Sequence, residues 1–166
     1  VQTCALLILG LRPLFVWLWQ ESIESADGGA TAVRERAQQL GMGFTNCQVL
    51  RDFAGAPLTL RAEKRQEAQR FFRLAQAIGC DTVQAPACTR DDCQAALIDE
   101  DLRWLSAEAA RHGLRIMYEP MAWSRVDNRL EPTWRRLERL DLPNVGLVVD
   151  LFHLAARGDD ASVLES

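Results

Sequence analysis

Lysine is almost missing from this chain: Lys64 is the only one among 166 residues. There is no Lys/Arg run, and the net charge is -4 with a sequence pI of about 5.2. A basic nucleic-acid footprint is therefore excluded. Histidine is also scarce, with only His112 and His153. The five cysteines, Cys4, Cys47, Cys80, Cys88 and Cys93, include no C-x-x-C pair. That argues against a structural zinc site. Their odd number and irregular spacing fit reduced thiols in a cytoplasmic protein, with Cys47 and Cys80 as small core residues. No apolar run is long enough for a membrane span. The stretch from Cys4 to Trp19 is broken by Arg12-Pro13, and neither half reaches the roughly 18–20 residues required, so it reads as the end of one helix, a turn and then a buried strand. No basic n-region with an A-x-A-like cleavage site is visible. Glycine-rich phosphate loops of the G-x-G-x-x-G or G-x-x-x-x-G-K-[ST] kind do not occur either.

What is present is an ordinary globular composition, 48% hydrophobic and 25% charged, in which strand and helix patterns alternate. Strands are expected at about 14–19, 43–49, 81–86, 114–119 and 145–150. Helices are expected at about 30–40, 60–78, 94–112 and 130–140, with Gly41, Gly79 and Gly113 just past three of their ends. Another helix is expected to start at about 159. Strand ends recur at intervals near the roughly 30 residues of one βα unit. The pattern predicts an α/β fold: a partial (β/α)8 TIM barrel with about five of eight parallel strands, forming a single domain over 1–166. A doubly wound open sheet is the rival. A full barrel takes about 250 residues. The chain also begins with Val, so the expectation is a fragment lacking one strand in front and two behind.

The chemistry concentrates in the last third. Leu114-Arg-Ile-Met-Tyr-Glu119 and Val145-Gly-Leu-Val-Val-Asp150 each read as a strand that ends on a carboxylate. A carboxylate is costly inside an apolar sheet, so it is expected to face the cleft at the strand's carboxyl end, where barrel active sites are built. Glu119 and Asp150 together could hold a hard divalent cation. The alternative is that Asp150 caps a turn and Glu119 is solvated. His153, three residues beyond Asp150, is a candidate general base. Arg51 and Arg125 are candidates for binding a substrate carboxylate, or else surface arginines. Trp123 could wall the pocket. His112, just before Gly113, reads as a partner of a helix carboxyl end.

Four segments resemble a known family: Gln48-x-x-Arg51-Asp52-Phe53-x-Gly55, Tyr118-Glu119-x-x-Ala122-Trp123-x-Arg125, Pro143-Asn144-Val145-Gly146-Leu147, and Asp150-x-Phe152-His153. They resemble the xylose-isomerase-like metal-dependent barrels, and within them the 3-dehydroshikimate dehydratases of bacteria and fungi. The match runs over roughly residues 30–160. The resemblance implies Glu119 and Asp150 as ligands of a divalent metal (Mg²⁺, Mn²⁺ or Co²⁺), with two more ligands from later strands. It also implies an active-site role for His153 and substrate contacts from Arg51 and Arg125. The family often places His directly after the Arg of the Trp-x-Arg segment, where this chain has Val126.

The implied substrate is a small carboxylated cyclic molecule, and the implied context is aromatic compound catabolism of the quinate/shikimate type. The implied reaction is a lyase step in which a base removes a proton next to a ketone and water is lost, giving protocatechuate. No nucleic-acid or membrane partner is expected, and an oligomer is compatible with the sequence. The alternatives are a metal-dependent sugar isomerase or epimerase of the same barrel class, which needs no carboxylate-binding Arg, and a non-catalytic fragment. Residues 1–166 taken alone are expected not to turn over substrate.

Overall fold

The computed structural model describes residues 14–159 and 162, and side chains from residue 21 onward. The helix and turn expected before residue 14 lie outside the described residues. Five parallel strands form one sheet in sequence order: β1 (Leu14–Trp19), β2 (Met42–Gln48), β3 (Thr82–Pro86), β4 (Arg115–Glu119) and β5 (Val145–Leu147). Between them run α1 (Gln20–Glu24), α2 (Gly29–Gln39), α3 (Arg61–Ile78), α4 (Ile98–Arg111) and α5 (Leu130–Leu140), and α6 (Leu151–Arg157) follows β5. Short 3₁₀ turns precede α3 and α4. A sequential parallel order with a helical connection after every strand is barrel topology, whereas a doubly wound sheet reverses its order at a switch point. The fold is a partial (β/α)8 barrel. Among the described residues no helix is long and apolar enough to cross a membrane.

Strand side chains alternate between faces, and the alternation separates two environments. Cys47, Val83, Ala85 and Ile116 pack on Phe71, Phe72, Ala75 and Ile78 of α3 and on Leu105 and Ala109 of α4. Tyr118 packs with Ile98, Leu102, Leu137 and Leu140. The intervening residues, Asn46, Gln48, Gln84, Met117 and Glu119, therefore face the opposite, inner side of the wall. The helices face the sheet because their apolar residues recur at three- and four-residue intervals, as Ala68, Phe71, Phe72 and Ala75 do in α3. α3 stops where Gly79 takes a left-handed backbone, φ 78°, which a glycine adopts without steric cost.

The sequence expectation for β5 needs correction. β5 ends at Leu147 rather than at Asp150. The N–H of Val148 still reaches the carbonyl of Tyr118, at 2.9 Å, but the chain then turns and Asp150 becomes the N-cap of α6. The helix expected from about 159 falls mostly outside the described residues, and a helix that the sequence pattern does not announce precedes it. α6 already begins at Leu151, because the Asp150 carboxylate accepts the Phe152 N–H at 2.8 Å and supplies its cap.

Beneath the site, the buried Tyr118 hydroxyl donates to Asp127 at 2.7 Å, and Arg136 donates to the other Asp127 oxygen at 3.2 Å. Asp127 is 3% exposed. Tyr118→Phe removes a bond to a buried charge and is expected to cost about 1.5–3 kcal/mol. Urea unfolding should show this as a lower midpoint with an unchanged m-value. An unchanged midpoint would mean that Arg136 alone satisfies Asp127.

Candidate metal and acid–base site

Glu119 is the last residue of β4. Its neighbour Tyr118 faces the helices, so Glu119 faces inward, 7% exposed. Asp150 is half-buried at the start of α6, and His153 sits in the first turn of the same helix, 8% exposed. One ligand atom from each of Glu119, Asp150 and His153 lies within 4.8 Å of the others. The structure thus brings the two carboxylates to one end of the sheet. Asp150 also caps a helix, where its alternative reading had it capping a turn; Oδ1 serves that cap and Oδ2 takes no part in it. Glu119 is buried, not solvated.

The electrostatics suit a cation. Burial pushes the Glu119 carboxyl above the usual carboxylate range and nearby Asp150 adds to this, while the Gln84 amide and His153 act in the opposite sense. Two carboxylates and an imidazole, converging where one carboxylate is desolvated, form an oxygen-rich donor set that fits a divalent ion.

The His153 ring stands edge-on to Trp123 at 4.7 Å and to Phe152 at 5.4 Å between centroids. Its Nε2 lies 4.0 Å from Glu119 Oε1. Its Nδ1 is 3.4 Å from the Ala122 N–H, a contact too long to fix the tautomer.

A cavity of about 450 Å³ opens over these strand ends. Gln48, Arg51, Gln84, Glu119, Trp123 and Asp150 line it. His153 is not on that lining; its ring packs edge-on against Trp123 and its Nε2 lies beside Glu119. Arg51 reaches the cavity from the loop after β2, where its guanidinium also meets Glu21 at 3.4 Å. Lys64 Nζ donates to the Arg51 carbonyl at 2.9 Å. Asp52 ties this loop to the next by accepting from the N–H and hydroxyl of Thr89, at 2.8 and 3.0 Å. Gly55 closes the loop with φ 86°, and a Cβ there would meet Cys93 Sγ at 2.9 Å, which accounts for glycine at this position. Arg125 is placed differently: its guanidinium pairs with Asp91, and it is not among the residues lining the cavity. His112 stands at the C-cap of α4, where its backbone N–H makes the cap and its Nδ1 lies 2.9 Å from Gln76 Oε1.

Sequence reasoning passed over Gln84. Its amide donates to Glu119 Oε2 at 2.6 Å and accepts from Asn46 and Gln48 at 2.8 and 2.7 Å. The available signal was a lone amide inside the otherwise strand-like Thr82-Val-Gln-Ala-Pro86, because a buried amide must find partners.

Residues 14–165 match the family described as xylose isomerase-like TIM barrel. A relative named 3-dehydroshikimate dehydratase from Pseudomonas aeruginosa is 34% identical over 90% of the chain and 24% of its own length. One of the same name from Pseudomonas putida is 34% identical over 82% of the chain and 22% of its own length. The chain thus spans about a quarter of the length of these relatives. Among solved structures, a xylose isomerase-like TIM barrel/4-hydroxyphenylpyruvate dioxygenase fusion protein superposes with a TM-score of 0.83 at 30% identity, over 88% of the chain and 24% of its own. The zinc-bound IOLI protein superposes with a TM-score of 0.79 at 20% identity, over 92% of the chain and 58% of its own, a likeness of fold alone.

Proposed function

The chain belongs to the xylose isomerase-like TIM barrel family, and from that premise we propose that it forms the metal- and base-bearing wall of a barrel that dehydrates 3-dehydroshikimate to protocatechuate. The observation that carries this is the convergence of Glu119, Asp150 and His153 within 4.8 Å, with Glu119 and Asp150 lining a cavity that Arg51 also lines. The name of the two Pseudomonas relatives supports the substrate.

Glu119 and Asp150 would hold a divalent cation, Mg²⁺, Mn²⁺ or Co²⁺, with Asp150 using the oxygen its helix cap leaves over. When bound, the cation supplies Lewis acidity at the ketone and makes the neighbouring C–H more acidic. His153 Nε2, beside Glu119, takes that proton. The ring then returns it to the departing β-hydroxyl, which leaves as water. Enolisation of the remaining carbonyl completes the aromatic ring. Trp123 packs edge-on against the imidazole, and Arg51 binds the ring carboxylate. The Arg51–Glu21 pair is exposed, so it is weak and gives way to a carboxylate that can meet the guanidinium in bidentate fashion. Arg125, paired with Asp91, would contact substrate only after leaving that partner.

Arg51→Ala in the intact enzyme tests the substrate class. Losing one charge-assisted contact of about 1.5–3 kcal/mol should raise KM for 3-dehydroshikimate about 10- to 100-fold while kcat changes little. Unchanged KM, together with turnover of an uncharged ketose, would favour the isomerase or epimerase reading.

A further inference from the structure

We infer that Gln84 is a positioning residue that makes Glu119 a one-oxygen metal ligand, its orientation locked by Asn46 and Gln48. This rests on the metal-site reading of Glu119. Gln84 is 8% exposed and lies on the inner face of β3, between Val83 and Ala85, which face the helices. In the parallel register Gln84 pairs with Met117 and Pro86 with Glu119, so Gln84 reaches Glu119 along a diagonal across the two strands.

The direction of the chain of amides is set from both ends. At one end an ionised carboxylate can only accept, so the Gln84 NH₂ must face Glu119 Oε2, 2.6 Å away. At the other end the Gln84 oxygen accepts from Asn46 Nδ2 at 2.8 Å and from Gln48 Nε2 at 2.7 Å. Asn46 is held in turn because its own oxygen accepts from the Thr45 hydroxyl at 3.1 Å. A flipped Gln84 would set oxygen against carboxylate and NH₂ against two NH₂ groups, losing three bonds together. The amide therefore occupies Oε2 continuously, and Glu119 offers Oε1, the oxygen on the side of His153. A carboxylate pinned through one oxygen loses little freedom when the other binds a cation, and hydrogen bonds of this kind typically carry 10- to 100-fold of metal affinity.

The test is Gln84→Met, of similar length but without hydrogen bonds, in the intact protein stripped with chelator and titrated with Mn²⁺. The expected result is a 10- to 100-fold weaker dissociation constant and a smaller metal-dependent rise in Tm. A purely structural role would lower Tm equally with and without Mn²⁺ and leave affinity alone. Metal-induced infrared difference bands that vanish in Glu119→Gln report the Glu119 carboxylate. Their antisymmetric–symmetric separation should be wide in the native protein, as for one-oxygen binding, and should narrow in Gln84→Met. Affinity within twofold of native with an unchanged separation overturns the proposal, while native affinity itself stands. If the native protein binds no Mn²⁺, or binds it as Glu119→Gln does, the metal-site reading falls and takes this proposal with it. Should Gln84→Met not fold, Gln48→Ala removes one donor to the same oxygen and should weaken Mn²⁺ about two- to tenfold; no change there would also overturn the assignment.

Discussion

Glu119→Gln should abolish metal-dependent turnover, lowering kcat/KM by at least about a hundredfold, the upper end of what even the loss of a ligand's hydrogen-bonding partner costs. The same substitution should move stability in two opposite directions. Without metal, Glu119 is a desolvated carboxylate whose carboxyl titrates above its usual value, burial being the main cause. The folded state then holds the proton more tightly than the unfolded state. Its contribution to stability is complete below the ordinary value of 4.5 and is lost as pH rises through the raised one. Glutamine carries no such charge, so above that window the metal-free variant should be the more stable protein, by an amount that shrinks as pH falls. With metal the order reverses. A ligand at a hundred times its dissociation constant adds about 2.7 kcal/mol, and the variant forfeits that gain. Thermal melts across pH, with and without Mn²⁺, check both signs. A variant that is less stable in both conditions would show that Glu119 serves the fold and not a cation.

The second large effect falls on His153. As the base, it should cost about 10²–10⁴-fold in kcat when replaced by alanine, with KM nearly unchanged, since the lost interaction belongs to the transition state. Metal affinity should persist. This outcome separates two roles that the geometry allows, because His153 Nε2 is close enough to Glu119 to act as a third ligand. A Mn²⁺ titration decides between them: affinity falling together with kcat would make His153 a ligand, and unimpaired turnover would make it a structural residue beside Trp123.

The βα rhythm was legible because hydrophobic periodicity and the glycines past the helix ends are local signals. Gly79 ends α3 at the expected residue. β5 was read three residues too long because Val148 and Val149 have strand-like side chains. The decisive interaction was the Asp150 cap on Phe152, and capping competes with strand extension without altering the apolar pattern. The positions of Glu119, Asp150 and His153 were visible from strand ends and order. The amide chain behind Glu119 was not, because it joins β2, β3 and β4 through register, and register cannot be read from any one segment. The placement of Arg125 was equally out of reach, since its partner Asp91 comes from the loop after a different strand.

The most direct check of the metal-dependent dehydratase account is protocatechuate formation from 3-dehydroshikimate by the intact enzyme, first stripped with chelator and then titrated with Mn²⁺. The account predicts no product from the stripped enzyme and turnover that saturates with Mn²⁺ at the same concentration that saturates binding at Glu119 and Asp150. Undiminished turnover after complete metal removal would contradict it.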